Sequence, residues 1–354
     1  MYYSSVNLTK YNTLAIPAIA RWFLTVDSLT KLTEAVEFAS DNELELTCLG
    51  EGSNVVFKDN HNGLILLNSL LGKEVVEEDD DKVIIDVWSG ENWHKLVTYT
   101  IKHGWYGLEN LALIPGTVGG APIQNIGAYG VELNEVLLEV EFFDFNTKKI
   151  VTFTNEQCEF SYRNSIFKRE MLNQIFITKI KLQLHKDSSK INCEYPGLIH
   201  YMRHHRMEQT PQCIYQTVCA IRKSKLPDLT QFPNAGSFFI NPIIDKKQLK
   251  QLQTKLPDVP FDKVDAKTVK VKAAYLIEQA GKKGYRKNGI GIHYNQALIV
   301  TNVNRATGAE VLEFADNIMK LIKELYNIEL TVEPQIYPRL DNISKPLKRA
   351  INST

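Results

Sequence analysis

The sequence contains no apolar run approaching the roughly 20 residues that a helix needs to cross a bilayer. Its opening residues, Met1 to Asn7, show no basic stretch leading into an apolar one. Both absences argue against a spanning helix or a secretory signal, so a soluble, cytoplasmic chain without membrane insertion is expected. Charge of either sign is not in excess: Lys and Arg total 41, as do Asp and Glu. A chain that holds long nucleic acid carries surplus cations, so no nucleic-acid partner is expected and any phosphate must be gripped locally. The five cysteines are an odd number with no CxxC pair, which fits a reducing compartment and argues against a disulfide framework or a cysteine-based zinc site. Also missing are the GxGxxG of a Rossmann turn and the GKS or GKT of a Walker loop.

What is present is a globular composition, 44% hydrophobic and 23% charged, over 354 residues, too many for one ordinary core. Apolar spacing predicts a helix after Ser28, strands at 44–49, 55–57 and 63–67, and a hairpin whose tip is the acidic run Glu77 to Asp81. A helix is expected over 92–103, with Trp93, Leu96, Val97 and Ile101 on one face, and a hairpin turns at Asn146-Thr147. Further expectations are a strand at 175–184, a helix opening at Thr210-Pro211, and a boundary at Lys225 to Asp228. Beyond it lie a strand at 238–240, helices near 246–255, 273–280 and 309–326, and strands at 297–301 and 328–332. Strands and helices alternate throughout, so the class is α+β. The tail from Pro338 is polar, and fraying is expected there.

Two glycine-rich segments carry the chemistry. The first is Gly50, Glu51, Gly52, Ser53 and Asn54, set between strands, where glycines bring backbone N–H groups together as an anion-binding concavity. Taken alone it is as readily a structural turn. The second spans Leu113 to Gly130, where five glycines and two prolines interrupt an apolar run and forbid a regular element throughout. Such a backbone suits close approach to an extended pyrophosphate, and a buried structural loop is the competing reading.

In order and separation, the two segments resemble the FAD-binding half of flavoenzymes of the vanillyl-alcohol-oxidase type. The string PGTVGGAPIQNIGAYGVE at 115–132 is similar to the signature of the UDP-N-acetylenolpyruvoylglucosamine reductase family. Three further segments resemble that family: Phe160 to Lys168 (FSYRNSIFK), Asn234 to Pro242 (NAGSFFINP) and Leu330 to Ile336 (LTVEPQI). The resemblance runs from about Asn12 to Pro338 and implies an α+β fold. Its parts would be a two-lobed FAD-binding module of the vanillyl-alcohol-oxidase/PCMH type and a C-terminal α+β substrate-binding domain. The implied domains are lobe 1 at 1–70, with 334–354 packing back on it, lobe 2 at 71–226 with a substrate lid near 193–210, and the substrate domain at 227–333.

The activity implied is NADPH-dependent reduction of UDP-N-acetylglucosamine enolpyruvate to UDP-N-acetylmuramate through FAD, in peptidoglycan precursor synthesis. Ser237 would donate the proton, and Arg163 and Glu333 would stabilise the enolic intermediate. Pro115, Gly116, Thr117, Gly119, Gly120, Ala121, Gln124, Asn125, Gly127, Ala128, Tyr129 and Gly130 would join the first segment in holding FAD. Arg222, near a helix C-terminus, is either a partner for an FAD phosphate or an ordinary helix-end cation. Neither glycine segment contains His or Cys, so the FAD is expected to be non-covalent. Tyr162, Lys225, Asn241 and Gln296 would meet the substrate, and Tyr195 matches the lid tyrosine of the family's longer form. The segment from Cys193 to Thr210 departs from the expected pattern in being longer and histidine-rich. Its His200, His204 and His205 have helical spacing without an acid or cysteine to complete a site, so no metal is expected. A monomer is expected. The rival readings are an FAD-linked alcohol or sugar oxidase of the same fold and a non-catalytic flavin-binding protein.

Overall fold

The computed structural model describes residues 1–338. The chain forms two compact units. One comprises 1–6, 20–51 and 62–224; the other comprises 7–19, 52–61 and the residues from Lys225 onward.

The first unit holds two sheets. In the smaller, the strand order is Tyr3–Asn7, Ile19–Val26, His61–Asn68 and Leu46–Leu49, the last two parallel with Leu46 opposite Leu64. Helix α1 (Leu29–Asp41) connects its second and third strands in sequence, and the Ser28 hydroxyl accepts from the Lys31 N–H to cap it. Its buried face, Leu32, Ala35, Val36 and Ala39, shares one core with Leu24, Val26, Leu64 and Leu66 of the sheet. Spacings of three and four put those four residues on a single stripe, which is why this segment is a helix.

The larger sheet is antiparallel, in the order Lys149–Thr154, Leu137–Asp144, Ile175–His185, Lys82–Trp88 and Lys73–Glu78. Its two hairpin tips are closed by aspartates. Asp79 accepts from the N–H groups of Asp81 and Lys82, and Asp144 from those of Asn146 and Thr147. The acidic run is therefore a solvated turn. Helix α2 (Trp93–Lys102) is capped by Asn92 and buries Trp93, Leu96 and Val97 in the core of this sheet. Three more helices complete the unit: α3 (Ile166–Arg169), α4 (Pro196–His204) and α5 (Pro211–Lys225).

The second unit has a four-stranded sheet in the order Asn234–Ser237, Ile299–Asn302, Ile290–Ile292 and Arg286–Lys287. A three-stranded sheet orders Ile243–Asp245, Thr268–Val271 and Phe261–Lys263. Helices α6 (Lys246–Lys255), α7 (Ala273–Gln279) and α8 (Gly308–Tyr326) accompany them, α8 opening with a capping box between Thr307 and Glu310. The strand expected at 328–332 shortens to Thr331–Val332, because only those two residues find a partner, Phe239–Ile240. Ile328 and Leu330 instead anchor the loop by burial. Gln335–Tyr337 then pairs in parallel with Val55–Phe57. The expected return of the C-terminal segment after 338 falls outside the described residues. Among the described residues no helix is long and apolar enough to cross a membrane.

Candidate active site

The two glycine segments meet inside the first unit. A Cβ on Gly50 would sit 2.5 Å from the Thr117 hydroxyl oxygen, so only glycine permits that approach. Beside it, the Glu51 carboxylate accepts from the Gly116 N–H at 3.0 Å and from the Asn92 side-chain amide at 2.5 Å. Glu51 thus uses its charge to fasten the second segment to the first and to the cap of α2, leaving its backbone for a ligand. The other half of the first segment, Gly52, Ser53 and Asn54, belongs to the second unit.

The second segment is a chain of tight turns. Gly119 donates to the Ser89 carbonyl, and one-turn helices follow at Val118–Gly120 and Pro122–Gln124. Asn125 is buried in the left-handed region and turns its amide inward, donating to Glu132 at 2.7 Å and accepting from the Asn134 N–H. Its side chain therefore braces the loop. Ala121 is buried, whereas Pro115, Gly120 and Gly130 are exposed. Gly127–Ala128 pairs with Val131–Glu132 across a two-residue turn in which Tyr129 and Gly130 both have positive φ.

Gly119 and Gly120 differ in the room that a side chain would find. A Cβ on Gly119 would lie 2.7 Å from the Ser89 Cβ, whereas one on Gly120 would meet nothing nearer than the Thr117 hydroxyl at 3.9 Å. Gly119→Ala is expected to destabilise the protein without its flavin by roughly 2 kcal/mol. Gly120→Ala should leave the melting temperature of that form unchanged and weaken FAD binding roughly tenfold or more, since its new methyl projects into open space on the segment that the resemblance assigns to FAD. Thermal melts and flavin-quenching titrations of the two variants check both statements.

At the far end of this segment three candidates gather. Arg163 lies in a tight turn in which Ser161 and Asn164 exchange backbone hydrogen bonds, and its φ of 56° is in the left-handed region. Its guanidinium donates to the Gly127 carbonyl at 2.8 Å and lies over the Tyr162 ring. Arg222, in the last turn of α5, is half-buried beside Tyr129 and Arg163, and its buried Nε has no hydrogen-bond partner among the described residues. Burial, and secondarily the Arg163 charge, lower its pKa, while the Tyr129 hydroxyl acts in the opposite direction. A half-buried cation with a spare N–H, beside a second cation and an open glycine backbone, fits an anionic cofactor such as FAD. Tyr195, at the N-cap of α4, sets its ring edge-on to Tyr129 with 5.4 Å between centroids.

The second unit brings Ser237 and Glu333 together. Phe239 pairs with Val332, and the Glu333 N–H donates to the Phe238 carbonyl at 2.9 Å, so Glu333 stands across from the residue after Ser237. Ser237 is exposed and follows Gly236, whose φ is 71° and whose N–H is held by the Asn234 side chain. Asn241 caps α7 by accepting from the Ala273 N–H, which leaves its amide N–H groups available. Gln296 is half-buried, and Lys225 is exposed at the end of α5.

Sequence reasoning passed over two residues. His94 accepts from the Leu113 N–H, and burial together with Lys223 and Arg222 lowers its pKa, so it is a neutral brace under the second segment. Asn110 is buried in a one-turn helix and bonds to two separate stretches of chain. Neither stands in a motif. His200, His204 and His205 are exposed, and no group of three His, Cys, Asp or Glu among the described residues is placed to hold a metal.

Known proteins match both parts of the chain. The FAD binding domain family matches residues 20–154, and the C-terminal domain of UDP-N-acetylenolpyruvoylglucosamine reductase matches residues 228–337. The chain is 40% identical to the UDP-N-acetylenolpyruvoylglucosamine reductase of Flavobacterium johnsoniae over 334 residues, which is 94% of this chain and 98% of that protein. With the same-named protein of Pasteurella multocida it shares 40% identity over 92% of this chain and 94% of the other. The crystal structure of the Thermus caldophilus reductase shares the fold, with a TM-score of 0.64 at 22% identity, covering 94% of this chain and 98% of that one. With relatives this similar over nearly their whole length, the chain belongs to the UDP-N-acetylenolpyruvoylglucosamine reductase family and is an FAD-dependent oxidoreductase, with an N-terminal module of the vanillyl-alcohol-oxidase/PCMH type.

Proposed function

We propose that this protein takes electrons from NADPH and reduces UDP-N-acetylglucosamine enolpyruvate to UDP-N-acetylmuramate, as a cytoplasmic monomer serving peptidoglycan precursor synthesis. The observation that carries the reading is the pairing of Glu333 with the Ser237 segment through the Phe239–Val332 ladder. It sets a hydroxyl donor and a carboxyl group at neighbouring positions, on a strand end where Gly236 has open space beside it. FAD, when bound, supplies the reducing equivalents to the terminal carbon of the enolpyruvyl group.

The chain's own residues have three tasks in this reading. Ser237 delivers a proton to the adjacent carbon, as a general acid that works because the developing carbanion is a strong base. Arg163 and Glu333 stabilise the negative charge that grows on the enolic carboxylate; the Gly127 carbonyl orients the guanidinium beforehand, so little reorganisation is needed. Lys225, Asn241 and Gln296 hold the diphosphate end, with Tyr162 a further substrate contact and Tyr195 closing over it. Gly50 to Asn54, the turns from Pro115 to Gly130 and Arg222 hold the FAD without a covalent bond.

An anaerobic two-step titration tests the proposal. NADPH is added until the yellow absorbance bleaches, and then UDP-N-acetylglucosamine enolpyruvate. Recovery of colour without oxygen is the expected result. Bleaching that no enolpyruvyl nucleotide reverses would sink the substrate assignment and leave a flavin reductase of another acceptor.

A further inference from the structure

Asn110 is almost wholly buried, at 1% exposure, in a stretch of chain with no motif. It sits in the one-turn helix Glu109–Leu111, among residues held by several hydrogen bonds. The Trp93 indole donates to the Leu111 carbonyl, the Leu111 N–H to the Leu108 carbonyl, and the Gly107 N–H to the Glu109 carboxylate at 2.7 Å. Tyr106 and His185 exchange backbone hydrogen bonds at the end of the long strand. From this platform the Asn110 amide donates twice, to the Tyr129 carbonyl at 2.9 Å and to the Asn192 carbonyl at 2.9 Å. A third bond closes the loop between those acceptors: the Asn192 amide donates to the Gly130 carbonyl at 3.1 Å.

The two carbonyls belong to the flavin-side turn and to the stretch leading into α4. Three residues after Asn192 comes Tyr195, whose ring is already edge-on to Tyr129. A buried amide that spends both N–H groups on carbonyls 63 positions apart ties two segments distant in sequence to one side chain. The stretch it secures is the base of the lid.

We propose that Asn110 is a positioning residue: it pins the root of the Tyr195 segment to the Tyr129 turn, so that Tyr195 is preorganised to close on the enolpyruvyl nucleotide. The inference rests on the lid assignment of Tyr195 made above. Without the tie, the lid samples more open arrangements, and apparent substrate affinity falls in proportion to the fraction that remains competent.

The test is Asn110→Asp, an isostere whose carboxylate has no N–H to give and repels both carbonyls, measured singly and combined with Tyr195→Ala. Alone it should raise KM for the enolpyruvyl nucleotide roughly tenfold or more and change kcat less than about threefold. Amide hydrogen exchange over 193–205 should quicken in the holoenzyme without substrate. In the Tyr195→Ala background the same change should add little, because both act through one ring. An equal KM effect in both backgrounds, or unchanged exchange over 193–205, would overturn the inference. Tyr195→Ala with normal KM would instead remove the lid assignment itself, and this proposal with it. Should Asn110→Asp fail to fold, Asn192→Ala cuts the Gly130 tie alone and must shift KM and exchange in the same direction by a smaller amount.

Discussion

Ser237→Ala is expected to slow reduction of the enolpyruvyl nucleotide by on the order of 10³-fold, while NADPH still bleaches the bound flavin at the rate of the unaltered protein. The split follows from what the hydroxyl does and does not touch. Ser237 is exposed at the end of its strand, and its hydroxyl makes no hydrogen bond among the described residues. The pairing of Asn234–Ser237 with Ile299–Asn302 is made by backbone, which alanine preserves. Removing the oxygen should therefore cost no more than about 0.5 kcal/mol of stability. A loss of turnover in a protein that melts normally and still accepts electrons must then lie in the second half-reaction, where a proton is delivered. Stopped-flow measurement of the two half-reactions separates them. Equal reoxidation rates in the variant would take Ser237 out of the mechanism.

The parts of this fold that were legible in the sequence are those whose causes are local. Ser28 before α1 and Asn92 before α2 announce helix starts because a cap acts within three residues, and both side chains accept from the third N–H onward. The acidic hairpin tip and the turn after Asp144 obey the same short-range rule. What stayed hidden depends on partners distant in sequence. Glu51 reads as part of a ligand loop, yet its carboxylate fastens Gly116, 65 residues on. Asn125 reads as a cofactor contact, yet its amide is spent on Glu132 inside its own loop. Asn110 gives no signal at all, since a neutral side chain on a single turn has neither period nor charge to mark it. The division of the first glycine segment between two units, after Glu51, is likewise a property of packing that no spacing encodes.

Arg222→Met is expected to move stability and cofactor affinity in opposite directions. The guanidinium is half-buried at the end of α5, beside Tyr129 and a second cation, Arg163. Its pKa is lowered, chiefly by burial, so holding it charged costs folding free energy. Methionine keeps the stem and removes the charge, and should raise the melting temperature of the flavin-free protein by a few degrees, equivalent to roughly 1 kcal/mol. A cation retained at such a cost needs a compensating partner, and among the described residues its Nε finds none. Bound FAD would provide it, and the charge-assisted hydrogen bonds lost with Arg222 should weaken FAD binding roughly 100-fold or more. Differential scanning of the flavin-free protein, paired with flavin-quenching titration, reads both quantities on one preparation. A variant that melts lower and binds FAD normally would make Arg222 an ordinary helix-end cation, stabilising α5 through its final carbonyls. A higher melting temperature with weakened FAD binding would place its purpose in the ligand.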